Sequence, residues 1–321
     1  MPAPGGARPG VPFGKKERMI RQLLLTLDPD DDQSRAVGVT RSFAERGGIP
    51  VSLLRVEEWP LFGSTGTYGW TPPIRAGRLT AVREKVRGPG ARMVRIASSE
   101  SLTPYGIMEL AREEPASLLI LPYRQEDLWA RLFNAHASQK ILWDSPIPVL
   151  AVPEGRESSS GAVTRILFVH GGGEKAARGS RLATQIAQWF EAPVGLLRIL
   201  PSRPPRPRGF AGWWFGEKER GARAAPPEDP SQDAALLSLF GKRGVVADSL
   251  GTAADPVGAT SSWVRGNAVD LVVLADVPGD PPVAEVLAKH LLGSLRVPVL
   301  FCRERSVLDC PENLPRFRLR P

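Results

Sequence analysis

Leu23-Leu24-Leu25-Thr26-Leu27 and Pro50-Val51-Ser52-Leu53-Leu54-Arg55-Val56 return 143 positions later as Ile166-Leu167-Phe168-Val169-His170 and Pro193-Val194-Gly195-Leu196-Leu197-Arg198-Ile199. No gap is needed between the two blocks. Apolar runs that recur at a fixed spacing mark a duplicated structural unit, and they set domain boundaries without help from any motif. Toward the end of each copy, Ile141-Leu142 and Pro148-Val149-Leu150 match Leu291-Leu292 and Pro298-Val299-Leu300 at a shift of 150, so loops have lengthened between the copies. The repeat covers residues 20–152 and 165–302.

Inside each copy, short apolar runs alternate with longer segments of helical period, the pattern of a parallel sheet covered by crossover helices. The first copy has runs at Ile20 to Leu27, Val51 to Val56, Met93 to Ala97, Ser117 to Leu121 and Pro148 to Val152. Ala36, Val37, Thr40, Phe43 and Ala44 lie on one face of a helix that should stop at Gly47-Gly48. The second copy repeats this with Leu182, Ala183, Ile186 and Phe190, and with strands expected near Val194 to Leu200, Val245 to Ala247, Leu271 to Leu274 and Val297 to Cys302. The expected fold is α/β: two tandem five-stranded parallel-sheet sandwiches, Rossmann-like. The expected organisation is a disordered tail (1–18), a first domain (19–154), a linker (155–163), a second domain (164–304) with a long Pro/Arg/Trp loop at 201–228, and a basic tail (305–321).

The length of 321 residues, with 42% hydrophobic and 24% charged residues, suits two ordinary globular domains. Met1 to Lys16 is rich in Pro and Gly but lacks a signal-peptide core, and no run reaches the roughly 20 apolar residues of a membrane span. A cytoplasmic location is expected. Cys302 and Cys310 make neither a disulfide framework nor a CxxC metal spacing. His136, His170 and His290 show no i, i+4 pairing, so no metal site is expected. The net charge of +8 is compatible with acidic partners, but much of the excess sits in loops and tails.

The segment Ala135 to Val152, with Ile147-Pro148-Val149-Leu150-Ala151-Val152 at its end, resembles the closing helix and strand of universal stress proteins, and Ala116 to Leu121 resembles the strand before them. The resemblance extends over both copies. It implies an adenine nucleotide alpha hydrolase-like fold, with the two halves packed as an internal pseudo-dimer through their last strands. ATP-binding members carry Gly-x-x-Gly, nine residues, then Gly-Ser or Gly-Thr, because backbone amides must approach phosphates at a helix N-terminus. Here those positions fall on Pro122, Gln125, Ala135 and His136, so the glycines are missing. In the second copy Ala275 takes the first position, and Glu285 and Val286 take the closing pair. Asp28 fits the acidic residue that the resemblance places at the end of the first strand; Gly171 stands there in the second copy.

His170-Gly171-Gly172-Gly173 also resembles an oxyanion-hole motif, and Ala247-Asp248-Ser249-Leu250-Gly251 imitates a nucleophile elbow. A serine esterase would then need His290 as base, with Asp270 or Asp276 orienting it. Separately, Trp59, Phe62, Tyr68 and Trp70 follow the second strand of the first copy. Phe210, Trp213, Trp214 and Phe215 sit among arginines at the matching place in the second. Clustered aromatics mark contact surfaces when nothing covers them. These features lead to the expectation of a non-catalytic stress-response or signalling protein that acts through protein partners at Trp59, Trp70, Trp213 and Trp214, with nucleic acid disfavoured and no bound cofactor. An ATP-binding regulator and the esterase are the alternatives, and association beyond the pseudo-dimer stays open.

Overall fold

A computed structural model describes residues 18–27, 34–59, 82, 86, 92–99, 108, 118–123, 141–142, 145–154, 161–200, 230–275 and 281–302. Ten strands form one sheet in the order β3-β2-β1-β4-β5-β10-β9-β6-β7-β8. The first five are β1 (Leu23–Leu27), β2 (Val51–Trp59), β3 (Arg92–Ser99), β4 (Leu118–Tyr123) and β5 (Val149–Pro153). The second five are β6 (Ile166–His170), β7 (Val194–Ile199), β8 (Ala247–Ala253), β9 (Leu271–Ala275) and β10 (Val299–Cys302). Each set is parallel and ordered 3-2-1-4-5 by its own count, and the sets join where β5 and β10 pair antiparallel through Val149–Phe301, Leu150–Leu300 and Ala151–Val299.

The helices are α1 (Ser34–Gly47), α2 (Gly173–Phe190), α3 (Pro230–Lys242), α4 (Pro256–Gly266) and α5 (Pro281–Lys289), the last continuing into a π-helical turn at His290–Ser294. Alternation along each strand sends successive side chains to opposite faces. Leu23, Leu25, Ile166, Phe168, Leu300 and Cys302 meet α1, α2 and α3 on one face. Leu24, Leu167, Val169, Val299 and Phe301 meet α4, α5 and the helical pair Ile141-Leu142 on the other. Both cores draw residues from both halves, and strands buried on two faces read as continuous apolar runs.

Three helices end the same way. Gly48 (φ +59), Glu191 (φ +54) and Gly244 (φ +71) turn left-handed, and the next residue donates its N–H to the carbonyl five positions back: Ile49 to Ala44, Ala192 to Ala187, Val245 to Phe240. This is the Schellman stop, which satisfies carbonyls that lack an intrahelical partner. The Gly47-Gly48 stop read from the sequence is therefore found, whereas nothing in Glu191 announces one.

One expectation needs correction, and one element was not anticipated. The strand anticipated at Val245 to Ala247 begins only at Ala247 and runs to Ala253. It is an edge strand, with Asp248, Ser249 and Gly251 exposed, so it carries no apolar run to betray it. Helix α4, for which the apolar runs gave no sign, is opened by Asp255, whose Oδ1 accepts the N–H of Val257 and Gly258 at 3.1 Å each, with Pro256 as the first helical residue.

The halves also meet through helices. Phe43 of α1 packs against Trp189 and Phe190 of α2, with ring centroids 6.2 and 5.1 Å apart. Gln185 of α2 accepts the N–H of Met19 (2.8 Å) and Ile20 (3.1 Å) and donates to the Ile20 carbonyl (3.1 Å). The matching position 143 residues earlier is Ser42, and there Gly161 (φ +66), just before β6, lies against the Gly38 carbonyl and the Ser42 hydroxyl. The approach to each half's first strand thus rests on the other half's first helix.

Candidate functional site

In an open α/β sheet the ligand crevice lies beyond the C-terminal ends of the strands, where the strand order reverses. Here that happens twice, between β1 and β4 and between β6 and β9. Because β5 and β10 are antiparallel, the two crevices open at opposite ends of the sheet.

At the first crevice, Pro122 lies buried within β4, in register with Val152, and offers no amide. Asp28, Gln125, Ala135 and His136 lie outside the described residues, so of the expected nucleotide positions only Pro122 is placed. Nearby, Glu154 leaves β5 and its carboxylate accepts the N–H of Arg35 (3.2 Å) and Ala36 (2.7 Å), the first amides of α1. A carboxylate at that point satisfies orphan donors and the positive end of the helix dipole. The Arg35 guanidinium donates to the carbonyls of Pro153 (3.1 Å) and Arg296 (2.9 Å), tying the same turn to the second half. Burial raises the pKa of Tyr123, at the end of β4, and Lys289 of α5 opposes that shift.

At the second crevice β6 ends on His170, Gly171 and Gly172 (φ +92) lead directly into α2, and His170 is in register with Ala275. Helix α2 begins four residues earlier, in repeat terms, than α1 does, so the residues matching Arg35 and Ala36 are Arg178 and Gly179, inside the helix. Gly179 lets the helix close on the sheet: a Cβ there would stand 2.5 Å from the Cβ of Ala275. His170 is fully buried, and its Nε2 lies 3.6 Å from Oδ1 of Asp233 in the first turn of α3. Burial lowers its pKa to about 4, against the opposing pull of Asp233 and with help from Arg198 of β7. The ring is neutral at pH 7, and neither of its nitrogens has a hydrogen-bond partner. Asp233 and Arg198 escaped the sequence reading because no periodicity links them to His170.

The expected phosphate-facing pair Glu285-Val286 is not at a helix entrance. Both sit inside α5, where Glu285 pairs with Lys289 at 2.6 Å and Val286 is exposed. The entrance is Pro281-Pro282, and two prolines remove two of the four amides a helix N-terminus would present.

The esterase constellation is not assembled. Ser249 is in the middle of edge strand β8, opposite Leu196 and two strands from β6, rather than on a strand-to-helix elbow. Asp270 precedes β9, at the end of the sheet opposite His170, and accepts from the Thr164 hydroxyl (2.5 Å) and backbone N–H (2.8 Å). His290 opens the π turn that follows α5, a helix packed on the other face of the sheet. Asp276 lies outside the described residues. Among the described residues no group of three or more His, Cys, Asp or Glu is placed to hold a metal, and no helix is long and apolar enough to cross a membrane. Burial pushes the Cys302 thiol up to about 12, so it is no nucleophile.

The doubly wound α/β architecture, with a crevice at each end, defines an open, mostly parallel-sheet class of fold. Residues 19–153 match the universal stress protein family. A universal stress protein from Archaeoglobus fulgidus is 15% identical, with a TM-score of 0.59 over 88% of this chain and 96% of that one. A functionally unknown protein from Pseudomonas aeruginosa is 17% identical, with a TM-score of 0.55 over 88% of this chain and 92% of that one. At such identities the two structures speak to the fold alone. No curated protein matches the chain. The first half therefore carries a universal stress protein domain, and the second half repeats its strand order.

Proposed function

We propose that this chain is a non-catalytic stress-response or signalling protein of the cytoplasm that acts by binding protein partners, its inherited nucleotide clefts no longer serving ATP. The observation that carries this reading is the loss of amide donors where a phosphate would be cradled: Pro122 is the penultimate residue of β4, and Pro281-Pro282 open α5. Phosphates bind helix N-termini through those very groups. The partner surfaces would be the aromatic segments bearing Trp59, Trp70, Trp213 and Trp214. The Trp59 backbone ends β2, and the other three lie outside the described residues.

A second reading, an ATP-binding regulator, draws on Asp28 at the first crevice. Calorimetric titration of the full chain and of Asp28→Ala with ATP and Mg²⁺ separates the two. Partner binding predicts no saturable heat that Asp28→Ala removes; an Asp28-dependent isotherm supports the regulator instead. Ester hydrolysis lost in Ser249→Ala would overturn both.

A further inference from the structure

Away from both crevices, a cavity of about 80 Å³ lies at the seam between the halves. Val39 and Phe43 come to it from α1, Leu150 from β5, Leu271 from the start of β9 and Val297 from the approach to β10. The stretch Gly161-Ala162-Val163, which leads into β6, supplies the remaining wall. The cavity thus sits at the N-terminal ends of the second half's strands, whereas the second crevice is at their C-terminal ends and the first lies between β1 and β4.

The repeat explains why there is space here. At the matching place in the first half, Met19 packs against the core, and Gln185 reaches from α2 to the amides of Met19 and Ile20. Ala162 and Ser42 stand where Met19 and Gln185 would, and Val39 and Val163 answer Leu182 and Ile20. Each of the four is the smaller residue. Phe43 is larger than its counterpart Ile186, but its ring is turned toward Trp189 and Phe190.

The same exchange removes an acceptor. Gln185 takes the N–H of both Met19 and Ile20, whereas among the described residues neither Ala162 nor Val163 has an acceptor for its N–H. Val163 is buried, and buried amides are almost always paired in folded proteins. Asp270, which also lines the cavity, accepts the N–H of Thr164 and Arg165 and the Thr164 hydroxyl. All three bonds fall on Oδ2, so Oδ1 is open. Arg35 is a further liner, but its guanidinium is engaged with the carbonyls of Pro153 and Arg296. Ala162 is exposed and Asp270 partly so, which puts the mouth beside the two polar features.

We propose that this cavity binds a small neutral amide with a short branched alkyl group. Its carbonyl oxygen accepts the N–H of Ala162 and Val163, as the Gln185 side chain does for Met19 and Ile20, and its own N–H donates to Asp270 Oδ1. The alkyl group lies among Val39, Leu150, Leu271 and Val297. An apolar cavity of about 150 Å³ takes the six carbons of benzene, so this one suits about three. A few convergent polar groups over an apolar floor are what fix a small ligand in one orientation. A carboxylate of the same shape is disfavoured, because its charge would face Asp270.

The test uses the full-length chain labelled with ¹⁵N-valine, the Val163 amide being assigned by its loss in Val163→Ile, which copies Ile20. Isobutyramide and isobutyrate, one carbon skeleton without and with a charge, are titrated in separate arms. The expected result is a saturable downfield shift of the Val163 amide proton with isobutyramide, and a half-saturating concentration about tenfold higher for isobutyrate. Val39→Leu copies Leu182 and fills part of the cavity while keeping the helix, and it is expected to weaken isobutyramide about tenfold. Asp28→Ala leaves both responses unchanged, which separates this site from the first crevice. A Val163 amide indifferent to isobutyramide at hundreds of millimolar, an equal or stronger response to isobutyrate, or binding undiminished in Val39→Leu overturns the proposal.

Discussion

His170 is held neutral in the folded protein by burial, with a pKa of about 4, and titrates near 6.5 when the chain unfolds. Between those values the unfolded chain binds more protons, so stability falls as the pH drops from 6.5 toward 4 and is restored above 6.5. Urea unfolding should show a loss on the order of 2 kcal/mol between pH 8 and pH 5 from this group, and His170→Gln should remove that part of the slope. Gly179 carries a different constraint. Its substitution by Ala sets two backbone-anchored Cβ atoms 2.5 Å apart, and a cost of about 1 to 3 kcal/mol is expected in the same assay. His170 and its glycines could be singled out in the sequence because they form a contiguous motif. Gly179 could not, since the residue it must clear, Ala275, lies on a distant strand.

Among the elements, α1 depends on a group supplied from outside itself. Glu154→Ala leaves the amides of Arg35 and Ala36 without their acceptor and should destabilise the protein by roughly 1 to 2 kcal/mol at neutral pH, with Gln recovering part of the loss. Chemical denaturation of the three proteins in parallel checks the order. The strands legible in the sequence were those buried on both faces, such as β1, β6 and β9, because burial forces an unbroken apolar run. Edge strand β8 was misplaced because ADSLGTA has one face in water and obeys no such demand. The closing pair of the motif was expected at Glu285 and Val286, which lie inside α5, because spacing alone cannot say where a helix begins. Pro281-Pro282 says it better, since proline is favoured at the first helical position.

In the molecule as a whole, the halves share both cores and one sheet, so the described body should unfold as a unit. Calorimetry is expected to show one transition; two well-separated ones would contradict the shared cores. Gln185 is the sharpest single probe of this union. Gln185→Ala strands the amides of Met19 and Ile20, the latter fully buried, and should cost about 2 kcal/mol or more while loosening the start of β1, as hydrogen exchange at Leu23 to Leu25 would report. The duplication announced this partnership in outline, but only the packing reveals that Gln185 bonds the approach to β1 and that Gly161, before β6, lies against the matching Ser42. The antiparallel seam of β5 and β10 has one more effect. It turns the molecule into a two-ended object, whose working rims look in opposite directions across a strand length of about 17 Å. Occupants of the two rims do not compete for space, so one molecule can be grasped at both ends at once, like the coupling between two carriages.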